Sequence, residues 1–303
     1  MKPIVWLASF PKSGNTWLRL LLANLAATGE PCGINAIGTA RALASSRQWF
    51  DEASLIASGL LTAEESDRMR PALYRHIAAG AADPTENDEA GPDRGDDPLR
   101  AWRLVKTHDA WTRTTTGEPL LGGRAAARAA MLIVRDPRDV VASLANHNNS
   151  SLDEAAALMG DPRSALASRA DRQPLQLRQQ LLGWSGFHAS WLDQSDVPVH
   201  LVRYEDLQAD APAALGALLT ALGAPADPAR LARAAELSAF ERLQAQEAES
   251  GFREGPVRMA TGRFFRSGRS GGWREELSVE LRAKIEADHS PMMRRFGYLD
   301  DEA

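Results

Sequence analysis

The nine residues Ser9-Phe10-Pro11-Lys12-Ser13-Gly14-Asn15-Thr16-Trp17 restrict what this chain can become more than any other segment. They follow an apolar run, residues 4–8, and precede a stretch, residues 17–27, that is apolar all round. A short continuous apolar run reads as a strand buried on both faces, and a helix that is apolar on every side is itself buried. The segment is therefore expected to join a central strand to a packed helix, with Gly29 as the stop. Gly14 permits close backbone approach, successive N–H groups can form an anion nest, and a helix start adds positive potential. Lys12 contributes a full charge, and Ser13, Asn15 and Thr16 contribute neutral donors. Phosphate is the natural ligand of such a cradle. A Walker A loop is excluded, because its lysine follows the last glycine, whereas Lys12 precedes Gly14.

Three further apolar runs, residues 104–106, 131–134 and 199–202, read as strands. Helical patterns lie between them. One continues from Val140, with Asp136-Pro137 as its start; others cover residues 175–191 and 212–222. This alternation implies an α/β fold with a parallel sheet and ligands at the carboxyl ends of the strands. Residues 78–99, rich in Gly, Pro and Asp, and the polar stretch 150–174 read as long loops, with a short helix possible over 152–159. Each is either a lid over a site or a tolerated insertion. The whole chain, 1–303, is expected to form a single domain, which α/β folds of this length often do.

The net charge of -5 argues against broad nucleic-acid binding, although a basic pocket can still sit within an acidic protein. Cys32, the single cysteine, excludes an internal disulfide and a Cys-rich metal site, and no metal is expected. Residues 4–8 are too short for the apolar core of a signal peptide, and no stretch has membrane-spanning length. A cytoplasmic protein with no membrane partner is expected.

Three more segments carry chemistry. In Arg135-Asp136-Pro137-Arg138-Asp139, Arg135 sits at a strand end, and Arg135, Asp139 and Ser143 share a stripe if a helix begins there. Arginine and a serine hydroxyl suit a phosphate, though a helix-start salt bridge beside a solvated serine fits the spacing equally. Arg266-Ser267-Gly268-Arg269-Ser270-Gly271-Gly272-Trp273-Arg274 is basic and glycine-rich, which suits an anion or a flexible surface loop. In Lys106-Thr107-His108, residues two apart in extended chain point the same way, so Lys106 and His108 can enter one pocket. A neighbouring ammonium would keep such a histidine neutral, as a general base requires.

Together these motifs resemble those of the cytosolic-type sulfotransferases that use 3′-phosphoadenosine 5′-phosphosulfate (PAPS). The resemblance spans residues 9–274 in the family's order. It implies a P-loop-like three-layer α/β fold, with a central, mostly parallel sheet flanked by helices. It implies that Lys12 contacts the bridging oxygen and sulfuryl group, that Ser13, Gly14, Asn15 and Thr16 bind the 5′-phosphate, and that Trp17 lies against the adenine. Arg135 and Ser143 are then at the 3′-phosphate. Arg266, Gly268, Gly271 and Trp273 match the family's R-K-G-x-x-G-D-W-K segment over the nucleotide, whereas Ser267, Gly272 and Arg274 depart from it. Tyr204 matches a tyrosine near the adenine, and Ser238 and Phe240 match a base-contacting pair. His108 is implied as the catalytic base, with Lys106 at the sulfuryl group.

The function implied is sulfuryl transfer from PAPS to a hydroxyl or amine of a small-molecule acceptor, releasing 3′,5′-adenosine bisphosphate (PAP). A nucleotide kinase and a non-catalytic nucleotide-binding protein are the alternatives. The acceptor pocket is expected among residues 34–50, 78–99, 146–174 and 244–258, with Trp49, Phe50 and Phe252 read as core. The acidic stretch 86–97 argues against a highly sulfated polysaccharide. Oligomeric state is open: the segment after the glycine-rich run fits the family's dimer motif only loosely.

Overall fold

The computed structural model describes residues 2–37, 42–80, 99–168, 174–256 and 258–300. Four strands form its main sheet: β1 (Ile4–Ser9), β2 (Arg103–Thr107), β3 (Ala127–Val134) and β4 (Val199–Arg203). All pair in parallel, in the order β2-β1-β3-β4. The four apolar runs of the sequence thus supply these four strands. Successive side chains on a strand point to opposite faces, and the core divides accordingly. Ile4, Trp6 and Ala8 of β1, with Ala130, Leu132 and Val134 of β3, enter one apolar cluster. Val5 and Leu7, with Ala129, Met131 and Ile133, enter another.

Helices cover both faces. On the first lie α2 (Arg47–Ser54), α3 (Ala63–Ala78), α4 (Pro137–Asn148), α5 (Leu152–Gly160), α6 (Gly183–Leu192) and α12 (Val279–Arg295). On the second lie α1 (Asn15–Ala26), α7 (Tyr204–Ala209), α8 (Ala211–Ala221) and α9 (Pro228–Leu237). The result is the expected three-layer sandwich. α10 (Phe240–Ser250) and the one-turn α11 (Trp273–Glu276) flank the glycine-rich segment. Trp49 and Phe50 are core residues, and Phe252 packs against Phe264 and Phe265.

Helix α4 starts where the sequence places it: Asp136 caps it by accepting from Arg138 N, and Pro137 occupies its first turn. The helix expected over 175–191 is a correction. Only α6, from Gly183, is helical. Residues 176–181 are not helical because their backbone groups are taken elsewhere, and Leu182, at φ 60, turns the chain into α6. Leu177 N donates to Ser45 O, Leu181 N to Ser164 O, and residues 179–180 pair with 165–166. Leu177 and Leu181 are both buried, so their four-residue spacing imitates a helix in a segment held by tertiary hydrogen bonds. The expected short helix after Ser151 is α5. Of the two expected loops, residues 81–98 and 169–173 lie outside the described residues, and with them the acidic stretch 86–97. Among the described residues, no helix is long and apolar enough to cross a membrane.

Candidate active site

The carboxyl ends of the four strands lie at one edge of the sheet, and each delivers one element of the site. β1 runs into the Lys12 loop, β2 into His108, β3 into Arg135 and β4 into Tyr204. The registers Ala8↔Thr107 and Ser9↔Ile133 bring the first three level with one another. The chain leaves β1 for β2 on one side and reaches β3 on the other, and a crevice opens at such a switch point. One cavity there is lined by Lys12, Lys106, His108, Arg135, Tyr204 and Arg266, among others.

The loop end of the cavity is built from backbone. Asn15 Nδ2 donates to Leu7 O (2.9 Å) and to Ser9 Oγ (3.1 Å), which folds the loop back over its own strand. Lys12 sits at φ 68, a left-handed conformation that is uncommon for a side-chain-bearing residue and costs about 1–3 kcal/mol. Gly14, at φ 105, has no alternative: a Cβ there would lie 2.6 Å from the Tyr204 ring. Tyr204 in turn meets Trp17 edge to face, with centroids 5.4 Å apart. Two donors of this cradle, Ser13 Oγ and Arg135 Nε, are buried without a hydrogen-bond partner. Buried polar groups are normally paired, and these two donors are free to meet a ligand atom.

The glycine-rich segment is clamped. Asp139 accepts from Gly271 N (2.7 Å) and Trp273 N (3.0 Å). Asn146 holds Arg263 O (3.0 Å) and Thr261 N (2.8 Å). Glu247 accepts from Phe264 N and Phe265 N, and Gly268 O accepts from Tyr204 Oη (2.7 Å) and Gln208 Nε2 (2.8 Å). Arg135 stacks over Tyr204, 4.3 Å from its centroid, and donates to Arg269 O (2.9 Å). Arg266 pairs with Glu276 at 2.8 Å. A Cβ on Gly268 would strike the Phe240 ring at 2.6 Å, so glycine is required there too.

The histidine end is built from buried charge. His108 Nδ1 lies 2.7 Å from Ser9 O; a carbonyl only accepts, so Nδ1 carries the proton and Nε2 keeps its lone pair. Burial and then the Lys106 ammonium push this imidazole down to about 3, while the Ser9 hydrogen bond opposes them. Behind it, the Asp109 carboxylate is locked to the fully buried Arg70 and to Thr107 Oγ1 (3.2 Å). Arg70 also bonds Tyr74 Oη (2.9 Å), and Trp191 Nε1 holds Asp109 O (3.1 Å). Lys106 Nζ lies 3.7 Å from Glu254, which Arg19 grips through both carboxylate oxygens at 2.7 and 2.8 Å. Burial, followed by Arg19, lowers Lys106 to about 8. Burial, followed by Lys106 and Arg135, lowers Lys12 to about 7, and its Nζ rests 3.6 Å above the Phe264 ring. A second histidine, His147, lines the same cavity edge-on to Phe264 and is lowered to about 4, first by burial and then by Lys12 and Lys106.

The sulfotransferase domain model matches residues 2–297. The chain belongs to the sulfotransferase domain family. Among curated protein sequences none matches it significantly. Of solved structures, this sulfotransferase domain is similar to retinol dehydratase in complex with androsterone and the inactive cofactor PAP. The TM-score is 0.54 at 19% identity, covering 100% of this chain and 83% of that one. Retinol dehydratase with retinol and PAP gives 0.56 at 19%, covering 100% and 84%. Mouse sulfotransferase SULT7A1 complexed with PAP gives 0.56 at 16%, covering 98% and 86%. At these identities the likeness is one of fold.

Of the residues singled out in the sequence, Lys12, Gly14, Asn15, Thr16, Trp17, Lys106, His108, Arg135, Ser143, Tyr204, Phe240, Arg266, Ser267 and Gly268 all line this sulfotransferase domain's cavity. Ser13 lies just beneath it, fully buried. Ser238 does not line the cavity: it is fully buried, its carbonyl accepting from Trp17 Nε1 (2.9 Å) and its hydroxyl from Asn24 Nδ2 (3.0 Å). Asp139 faces the glycine-rich segment, so the stripe Arg135-Asp139-Ser143 divides between ligand cavity and clamp. The described residues of 34–50 do not line the cavity; Ile34 and Ile37 pack in a satellite core. His147 and Glu254 do line it, from two of the segments expected to do so, but nothing in their neighbours' spacing marked them individually. Gln176 also lines it, from a stretch read as helix.

Proposed function

We propose that this chain transfers a sulfuryl group from PAPS to a hydroxyl or amine of a small-molecule acceptor, with His108 as general base and the whole chain acting as one domain. The observation that carries the reading is a single cavity in which an anion cradle and a tautomer-fixed, neutral histidine meet. The cradle suits the donor: Lys12, Lys106, Arg135 and Arg266 are all basic, and Ser13 Oγ and Arg135 Nε offer unused donors. Three structures similar in fold were solved with PAP, two of them also with androsterone or retinol. PAPS supplies the sulfuryl group and is released as PAP.

Each residue then has a task. Lys12, Ser13, Gly14, Asn15 and Thr16 hold the 5′-phosphosulfate on backbone N–H groups and one ammonium. Arg135, Ser143, Arg266, Ser267 and Gly268 hold the 3′-phosphate, and Trp17, Tyr204 and Phe240 flank the base. Ser238 supports the base site through Trp17 alone. His108 Nε2 takes the proton of the attacking hydroxyl or amine, while Nδ1 stays fixed on Ser9 O. An anion beside it raises its basicity from the low value of the free protein, toward the range where a general base works best. Lys106 and Lys12 stabilise negative charge on the sulfuryl and leaving oxygens. Positioning and electrostatics do the rest.

Calorimetric titration with PAP in the absence of magnesium, against ATP with magnesium, tests the donor site. Micromolar PAP binding that Arg135→Ala abolishes and Lys12→Ala weakens is expected. Binding of magnesium-ATP with PAP inert would overturn the reading in favour of a kinase.

A further inference from the structure

Glu254 has no part in the reaction just described, yet its carboxylate lines the cavity at the point where Lys106 enters it. It reaches there from residues 251–256, a stretch without regular secondary structure between α10 and the glycine-rich segment. A loop carboxylate would normally sample many rotamers in water. This one is held by a bidentate fork from Arg19, itself buried on α1 and tied by Nη2 to Ile37 O at 2.8 Å. Arginine is suited to this work, because its planar guanidinium matches both carboxylate oxygens at once.

We propose that Glu254, gripped by Arg19, is the positioning residue that fixes the Lys106 side chain and its charge at the reacting end of the cavity.

The groups facing Lys106 show why such a residue is required. Arg19 approaches from α1, Lys12 from the loop after β1, His147 from α4, and His108 follows on its own strand. All are cationic or able to become so, and Lys106 itself is largely buried. Like charges and burial both favour the neutral amine. Glu254 is the carboxylate that opposes them, and its ion pair is what leaves Lys106 at about 8, still charged at neutral pH. Arg19 acts on Lys106 in two opposite senses. Its own charge repels the ammonium, but its fork keeps the carboxylate in place. Glu254 stays ionised because Arg19 and then Lys106 outweigh the effect of its burial. The proposal rests on the sulfotransferase reading only for what the ammonium is used for, namely charge on the sulfuryl group.

The lysine can be watched directly, without donor or acceptor. The chain has four lysines, Lys2, Lys12, Lys106 and Lys284, so ¹³Cε-lysine NMR resolves them, with Lys106→Arg assigning the signal. In the full-length protein, Glu254→Gln is expected to lower the Lys106 midpoint by about one pH unit, a roughly tenfold loss of ammonium relative to amine at fixed pH. Glu254→Asp, which keeps the charge, is expected to retain most of the wild-type midpoint. Coincident midpoints in wild type and Glu254→Gln would overturn the proposal, as would equal falls in the Gln and Asp variants. Should Glu254→Gln fail to fold, wild type carries the test: a nuclear Overhauser contact between the Lys106 Hε and Glu254 Hγ protons is expected, and its absence overturns the proposal. PAP titration of the same samples separates the two readings. A wild-type protein inert to PAP sinks the donor assignment, whereas the midpoints judge Glu254 alone.

Discussion

The loop end of the cavity and the histidine end are made of different materials. At the loop end, fixed N–H directions and arginines do the work, and the parts are fastened by side chains bonding to backbone: Asn15 to Leu7, Asp139 to Gly271 and Trp273, Glu247 to Phe264 and Phe265. At the histidine end, ion pairs between side chains, Arg70 to Asp109 and Arg19 to Glu254, are added to such bonds. Holding a phosphate requires permanent charge and correct direction, and arginine supplies both irrespective of burial. Moving a proton requires groups whose charge the surroundings can tune. Accordingly Lys106, His108 and His147 are pulled well below their ordinary values. Lys12 joins the two ends: it stands in the loop after β1, and burial and then Lys106 lower it as burial lowers the groups of the histidine end.

If the two ends are separable, His108→Ala should lower kcat by about 10²–10⁴, the usual worth of a general base, and leave PAP affinity unchanged. The measurement is turnover with PAPS against a panel of phenols, alcohols and amines, alongside PAP titration. Near-wild-type turnover would remove His108 from the chemistry, and a parallel loss of affinity would show that the ends are one unit.

Asp109→Asn probes the fastening behind the histidine. It removes the nearer of two carboxylates paired with the buried Arg70 guanidinium and leaves Asp67, at 3.3 Å, as the other. Removing one partner of a buried pair costs about 3–5 kcal/mol, and with Asp67 in place the lower end, about 3 kcal/mol, is expected. Chemical denaturation should show a loss of that size. A cost below about 1 kcal/mol, the level of a surface pair, would mean that the pair does not stiffen this end.

The smallest effect concerns Lys12, and its sign follows from the folded value of about 7. At pH 8 the free lysine is mostly neutral. A bound anion favours the ammonium and raises its pKa. Binding at pH 8 should therefore take up a proton, and PAP affinity should weaken as pH rises above 7. Calorimetry in buffers of different ionisation enthalpy reads the uptake, which Lys12→Met should abolish. Proton release, or uptake that survives Lys12→Met, would assign the titration to another group.

Much of the loop end was legible in the sequence because its signals are local. A glycine with lysine and small donors between an apolar run and a helix describes one contiguous piece of backbone, and so does Asp136-Pro137 as a helix start. The glycine-rich segment was legible in composition but not in state. A loop that could equally be flexible is clamped by Asp139, Asn146, Gln208 and Glu247, residues from about 20 to 130 positions away in the chain. Residues 176–182 misled for the same reason, since a four-residue apolar spacing cannot reveal that Ser45 and Ser164 take their N–H groups.

Neighbours along the chain fix the four strands, of which the first and third are buried throughout or nearly so, the glycine loop at the end of the first, and the residues Lys106 and His108 that share its pocket. These depend on hydrophobic period, backbone permission and spacing of two along a strand, all properties of neighbours in the chain. The charge of the site came instead from packing. Burial sets whether Lys12, Lys106, His108 and His147 carry protons, and Arg70 and Glu254 reach their partners across 39 and about 150 residues of chain. A charge takes its value from what surrounds it in space, which is fixed only once the layers have packed.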